Sequence, residues 1–195
     1  MMKKLPKEVE AIKSVRNISK IKQFLLGKKN KRDYLLFVLG INVGLRIGDL
    51  LILKVSDVLD ETGNIKKVLN ITEQKTKKKK ELELNNAARE AIKLYLEELA
   101  GFDDKTFLFP SRKSSGALTT RSAHKIIKTT LRELGIKGNY GTHSLRKTFG
   151  YHRYNSGVKL ETLQKLFNHS SASTTLSYIG IDREVIFDAY NVVNL

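Results

Sequence analysis

The run RDYLLFVLGINVGLRIGDLLILK, residues 32–54, constrains the fold more than any other stretch. From Tyr34 to Val43 only Asn42 interrupts the apolar residues, so a helix here must be buried nearly all round. Gly44 supplies a turn, and RIGDLLILK continues beyond it. That continuation drives Arg46 into apolar surroundings. An unpaired buried guanidinium costs on the order of several kcal/mol. Asp49, three residues on, is expected to supply the counter-charge from the same helical face. One reading is a structural Arg46–Asp49 pair. The other is a guanidinium held so that its fork meets a phosphate bidentately.

The chain has 195 residues, enough for one domain with a real core. No apolar run reaches the length of a membrane span. The start, MMKKLPKEVEAIK, is basic but lacks a following apolar stretch, so no signal peptide is expected and the expected location is cytoplasmic. Zero cysteines exclude disulfides and thiolate metal sites. The net charge is +16, from 36 Lys+Arg against 20 Asp+Glu, and it is segregated. Residues 3–32 carry +9, residues 66–80 carry +6 and residues 112–132 carry +6, while residues 89–104 carry −3. Clustered positive charge fits a polyanion, and nucleic acid is the expected partner.

The expected fold class is α+β, mostly helical, with a small antiparallel β-sheet near residues 57–85 in a single domain. KEVEAIKSV and SKIKQFLL, within residues 5–30, read as two short basic helices, with Ser19 as N-cap of the second and Gly27 as its stop. Leu69 and Ile71 alternate with polar neighbours, as do Leu82 and Leu84, which predicts strand, basic turn, strand. Helices are expected over NNAAREAIKLYLEEL, TTRSAHKIIKTTLREL (capped near Thr119), THSLRKTFGYHRYN, KLETLQKLFNH and SASTTLSYIG. A short terminal helix is expected over 182–193, capped by Asp182.

THSLRKTF puts His143 and Arg146 three apart on one helix face. A guanidinium beside an imidazole favours the neutral ring, which can accept a proton. An incidental surface pair is the plainer reading. EQKTKKKKELEL sets Lys75 at a strand end, where it could serve a leaving oxygen, and Lys77, Lys78, Lys79 and Lys80 read as a solvated turn touching phosphate. Arg112, Lys113, Arg121, Lys125 and Lys128 are further candidates for phosphate contact. NHSSASTTLSY carries His169 and, nine residues later, Tyr178. A tyrosine taken alone is ordinary packing. The four histidines lack metal-ligand spacing, and no phosphate-cradling glycine loop appears, so no metal and no cofactor are expected.

Taken in order, GLR-x-x-D, a lysine in a β-turn, H-x-L-R-x-T and a His nine residues before a Tyr make the chain resemble the catalytic domain of the tyrosine recombinase (phage integrase) family over nearly its whole length. LFP at 108–110 and the basic helix after it are similar too. The resemblance implies that Arg46, Lys75, His143, Arg146, His169 and Tyr178 are catalytic, with Asp49 orienting Arg46. Lys75 would protonate the leaving 5′-oxygen, His143 would take the phenol proton, and Tyr178 would be the nucleophile. Two departures stand out: Asp49 where Glu is more usual, and Asn168 where Gly more often precedes the second histidine. The family's N-terminal core-binding domain is expected to be absent.

The function so implied is site-specific cleavage and rejoining of double-stranded DNA through a 3′-phosphotyrosine, for a mobile element. The implied partners are DNA, further copies of the chain in a tetramer docked through the C-terminal helix, and accessory DNA-bending proteins, with no membrane. The alternatives are a type IB topoisomerase-like relaxing enzyme and a non-catalytic DNA-binding module on the same fold.

Overall fold

A computed structural model describes residues 8–99 and 101–181. The fold is α+β and mostly helical, with one antiparallel two-stranded sheet. In chain order the elements are α1 (Val15–Gly27), α2 (Lys31–Val43), α3 (Ile47–Leu51), α4 (Val55–Val58), β1 (Val68–Thr72), β2 (Lys79–Glu83), α5 (Asn86–Leu96), α6 (Thr120–Glu133), α7 (Thr142–Asn155), α8 (Leu160–Phe167) and α9 (Ala172–Ile179). The expected terminal helix over 182–193, with its docking role, lies outside the described residues.

Helix α2 is the spine, packed between α5 and α7. Leu35, Leu36, Phe37, Val38 and Leu39 are all essentially inaccessible, as a helix apolar on every side requires. It ends at Gly44 in the left-handed conformation (φ 64°), where a Cβ would lie 2.6 Å from the Phe149 ring. Gly44 therefore meets both demands at once: positive φ and close approach to α7. Gly150, inside α7, allows a close approach on the other side of that helix. A Cβ there would fall 2.6 Å from Ile179 and 2.7 Å from Phe167, so its absence lets α8 and α9 close against α7.

The hairpin pairs Leu69 with Leu82 and Ile71 with Lys80. Leu69 and Leu82 are buried against the α2/α5 core. A second apolar cluster joins Ile12, Ile21, Leu25 and Phe37 to α6 and α7. A third, of Phe149, Leu163, Phe167, Ile179 and Ile181, underlies α9.

The N-terminal expectation needs correction. Among the described residues of this segment there is one helix, not two, and its N-cap is Ser14, whose hydroxyl accepts from Asn17 N at 3.2 Å; Ser19 lies inside it. Residues 8–14 are not helical. Their backbone groups have distant partners instead: Glu10 N donates to Asn139 O (2.8 Å) and Ile12 N to Thr148 Oγ1 (2.8 Å). Tertiary hydrogen bonds outcompete a weak local helical propensity. Among the described residues no helix is long and apolar enough to cross a membrane.

Candidate functional site

Helix α9 carries Tyr178. Ser171 caps it, accepting from Thr174 N at 3.1 Å, and Gly180 in the left-handed conformation stops it. Thr175 and Ile179 face the core, so Tyr178 falls on the flank, half-buried. Its ring meets Phe167 edge-on at 5.4 Å and His169 at 5.1 Å between centroids. The chain reaches His169 through Asn168, the C-cap of α8, at φ 54° and ψ 47°. Asparagine tolerates that left-handed conformation better than most non-glycine residues, which accounts physically for Asn where the family more often has Gly.

Arg146 is the hub. It projects from α7 and is 3% exposed. Its Nη1 donates to Gly44 O, and its Nη2 to Phe167 O at 3.0 Å. One guanidinium thus ties the turn after α2, next to Arg46, to the end of α8, next to His169. It lies 4.6 Å from the Phe167 ring centroid.

Arg46 precedes α3 in extended conformation. Its partner is not Asp49, and this corrects the expected pairing. Arg46 Nη1 lies 3.0 Å from Glu73 Oε1, and Glu73 is 2% exposed. Asp49 Oδ1 instead accepts from Gln74 N at 2.9 Å. The single methylene of Asp49 reaches the neighbouring backbone, so Asp49 anchors the turn that carries Lys75. The Arg46–Glu73 contact lacks hydrogen-bond alignment, and Arg46 Nη1 and Asp49 Oδ2 are buried with no hydrogen-bond partner among the described residues. The unsatisfied Arg46 donor suits an incoming anion, whereas the Asp49 oxygen is an acceptor and does not.

Glu73 and Lys80 were not singled out from the sequence. By sequence Lys80 reads as part of a solvated basic turn. In the fold it points inward, its Nζ donating to Leu166 O and lying 3.8 Å from Glu73 Oε1. Burial, then the Arg146 charge, pulls its pKa below the usual lysine value. A signal for both existed in strand parity. Glu73 shares a face with Leu69 and Ile71, and Lys80 shares one with Leu82 and Leu84. For Glu73, burial pushes the pKa up, but the Thr76 hydroxyl, Arg46 and Lys80 outweigh it, and the net direction is down. A depressed carboxylate contributes stability that is present above its unfolded pKa and lost as pH falls through the folded one. Glu73→Gln is therefore expected to lower Tm by several degrees at pH 7 and by progressively less on acidification below about pH 4.5. Thermal melts of both proteins from pH 3 to 7 check this, and parallel acid limbs would contradict it.

Burial pushes the Tyr178 phenol above its ordinary value of 10.0, against the opposing charges of Arg146 and Arg46. It is neutral near pH 7, so it could act as a nucleophile only after passing its proton to an acceptor. His143 is solvent-exposed at the start of α7. Partial burial and then the Arg146, Lys147 and Arg46 charges hold it below 6.5, so it is neutral and able to accept. Burial and the same two arginines lower His169 as well. His169 Nδ1 lies 3.1 Å from Thr175 Oγ1, which also lies 3.2 Å from Ser171 O. Because the Thr175 hydroxyl donates to Ser171 O, it accepts from Nδ1–H, which leaves Nε2 an acceptor in the neutral ring and a donor to an external anion only in the imidazolium.

Lys75 is exposed in the hairpin turn, with no hydrogen bond or ion pair among the described residues. Lys77 is exposed beside it at φ 56°, and Lys78 Nζ lies 3.3 Å from Asn168 Oδ1. Arg121, Lys125 and Lys128 form an exposed ridge on α6 beside an open cavity of about 480 Å³. Arg112 and Lys113 line a second groove, which also includes Lys125. Among the described residues no cluster of His, Asp or Glu is arranged to hold a metal.

The chain belongs to the phage integrase family, whose model matches residues 7–184. It is similar to the probable integrase/recombinase YoeC of Bacillus subtilis (strain 168), with 40% identity over 184 residues, covering 94% of this chain and 96% of that one. It is 31% identical over 174 residues to a tyrosine recombinase of Pseudothermotoga lettingae, covering 89% of this chain but 57% of the relative. The crystal structure of XerA recombinase shares the fold at TM-score 0.74 and 21% identity, covering 96% of this chain and 65% of that chain. XerH bound to palindromic difH in a post-cleavage complex matches at TM-score 0.72 and 21% identity, covering 98% and 55%. The chain thus spans less than two thirds of these longer recombinases.

Proposed function

We propose that this protein is a site-specific recombinase that cleaves and rejoins duplex DNA through a covalent 3′-phosphotyrosine at Tyr178, acting for a mobile element. The observation that carries the reading is the convergence of Arg146, His169 and Tyr178, with the Arg46 charge reaching the same phenol. Two guanidinium groups and an imidazole beside a half-buried phenol suit the trigonal-bipyramidal phosphorane-like transition state, which carries more negative charge than the diester. Donors of this kind are worth roughly 3–4 kcal/mol each in comparable oxyanion sites.

In this mechanism Tyr178 Oη attacks phosphorus as its proton passes to His143, directly or through a water. The P–O5′ bond breaks, and Lys75 gives a proton to the departing 5′-oxygen. The phosphotyrosine retains the ester bond, so a 5′-hydroxyl from a second strand can attack it and release Tyr178 without an external energy source. His143 and Lys75 act in opposite directions in the second step. Assembly of several copies on DNA supplies the second strand, and DNA-bending proteins can bring the sites together. The exposed cations Lys77, Lys78, Arg112, Lys113, Arg121, Lys125 and Lys128 contact backbone phosphate, so affinity falls steeply with salt.

Incubation with nicked duplexes carrying candidate flanks, followed by a denaturing gel, tests the reading. The cut strand loses a short 5′-hydroxyl fragment to diffusion, so the covalent product accumulates. A protein–DNA band that survives denaturation is the expected result. Duplex binding with no such band on any substrate would favour a non-catalytic module. Lys75→Ala is expected to slow cleavage of an ordinary diester by about 10²-fold or more, in line with general acid catalysis, and to leave a 5′-bridging phosphorothiolate nearly untouched, because a thiolate leaves without a proton. Equal slowing of both substrates would remove Lys75 from the acid role.

A further inference from the structure

Lys147 has no part in the mechanism above, and its placement is unusual. It follows Arg146 on α7 and is 6% exposed, almost unheard of for a lysine without partners. Its stem is buried, and its ammonium emerges at two places that matter. Nζ lies 5.1 Å from the centroid of the Tyr178 ring and 3.1 Å from Glu8 Oε2. Glu8 belongs to the non-helical N-terminal segment, where its carbonyl accepts from Asn139 Nδ2 at 3.0 Å. One helical turn before Lys147 stands His143, which feels the Lys147 charge.

A cation on the face of a phenol is attracted to the ring, and more strongly once the ring carries negative charge. The other charged or titratable groups bearing on Tyr178 are Arg146 from α7, Arg46 before α3, His169 after α8 and Glu8 from the N-terminal segment. Glu8 alone among them opposes the phenolate. It also neutralises Lys147 directly.

We propose that Lys147 is a positioning residue for the tyrosine chemistry: seated on the Tyr178 ring, it orients the phenol and favours the phenolate, while Glu8 sets how much of that charge Tyr178 feels. The role rests on Tyr178 being the nucleophile, yet the ring's ionisation can be read without any DNA.

The experiment uses the full chain labelled with ¹³C at tyrosine Cζ, the Tyr178 resonance being assigned by its loss in Tyr178→Phe. Its ionisation is followed with pH in wild type, Lys147→Met, Lys147→Arg and Glu8→Gln. Lys147→Met is expected to move the midpoint to higher pH, and Glu8→Gln to lower pH. Lys147→Arg keeps its charge through this range and restores the wild-type midpoint or lowers it. In the trapped-cleavage assay Lys147→Met is expected to be on the order of tenfold slower at pH 7, with its pH profile displaced upward and duplex affinity unchanged. An unmoved midpoint in Lys147→Met overturns the proposal, and weaker duplex binding alongside it would make Lys147 a phosphate contact. If Lys147→Met does not fold, Glu8→Gln decides, because the Glu8 side chain is 80% exposed; an unmoved midpoint there is equally fatal. If wild type gives no covalent product but the midpoints move as stated, the cleavage reading fails and the Lys147–Tyr178 coupling stands.

Discussion

Tyr178→Phe is expected to abolish the covalent protein–DNA product on nicked substrates while leaving duplex affinity within about twofold. The substitution removes one oxygen. The phenyl ring keeps its edge contacts with Phe167 and His169, so α9 should stay docked. Under the proposed mechanism, loss of the hydroxyl leaves no nucleophile in position. The Thr175 hydroxyl, on the same helix, is buried and already engaged by His169 and Ser171. The phenol is also the group whose proton must leave, so the effect is the loss of the reaction, not a slowing of it. Denaturing gels at single turnover, run beside binding isotherms at one fixed salt concentration, check both halves. A Tyr178→Phe protein that still forms the band would move the nucleophile elsewhere and dissolve the mechanism.

Arg146→Ala is expected to carry two large penalties. Cleavage should fall by about 10²–10³-fold, as when one preorganised donor is removed from an oxyanion site. Stability should fall too, because Gly44 O and Phe167 O each lose their donor in a buried setting. Each orphaned carbonyl costs roughly 1–3 kcal/mol, and in a chain of this size each kcal/mol lowers Tm by about 2–4 °C. Arg146→Lys separates the two effects. A lysine offers one ammonium on a flexible stem and cannot span both carbonyls while presenting a fork to phosphate. It should recover part of the Tm and little of the rate, measured well below the lowered Tm. Near-normal cleavage by Arg146→Lys would confine Arg146 to a structural bridge.

Much of the framework was legible locally. The capping residues Asn85, Thr119 and Ser171 stand where the chain predicts helices to begin, and each accepts the expected backbone hydrogen bond. Caps act over three residues, so sequence order suffices to place them. The hairpin is similar: alternation assigns Leu69 and Leu82 to one buried face, and the observed register pairs them. The same alternation could have assigned Glu73 and Lys80 inward, but a run of four lysines reads as solvated unless face is counted before charge.

Other features depended on distant partners. Residues 8–14 have a sequence that could form a helix, yet Asn139 and Thr148 claim their backbone groups. The choice between Asp49 and Glu73 for Arg46 could not be made from spacing, because Asp49 is three residues away and Glu73 twenty-seven. Helical geometry offers Asp49 as the local partner. The hairpin, folded back over α3, delivers Glu73 and gives Asp49 a backbone N–H instead.

The sequence by itself determined α2 and the helices from α5 to α9, the caps at Asn85, Thr119 and Ser171, the hairpin, the polyanion-seeking charge and which residue types could carry phosphoryl chemistry. All of these depend on periods of two to four residues or on composition, which survive without a fold. Only the tertiary structure decided which charges meet. Glu73 beside Arg46, Lys80 drawn in to Leu166, Arg146 bonded to Gly44 and to Phe167, and Lys147 over the Tyr178 ring all join residues between 21 and 102 positions apart. Coulomb energies and hydrogen bonds depend on separations of a few ångströms in space, and chain position does not encode those until α2, α7 and the hairpin have packed.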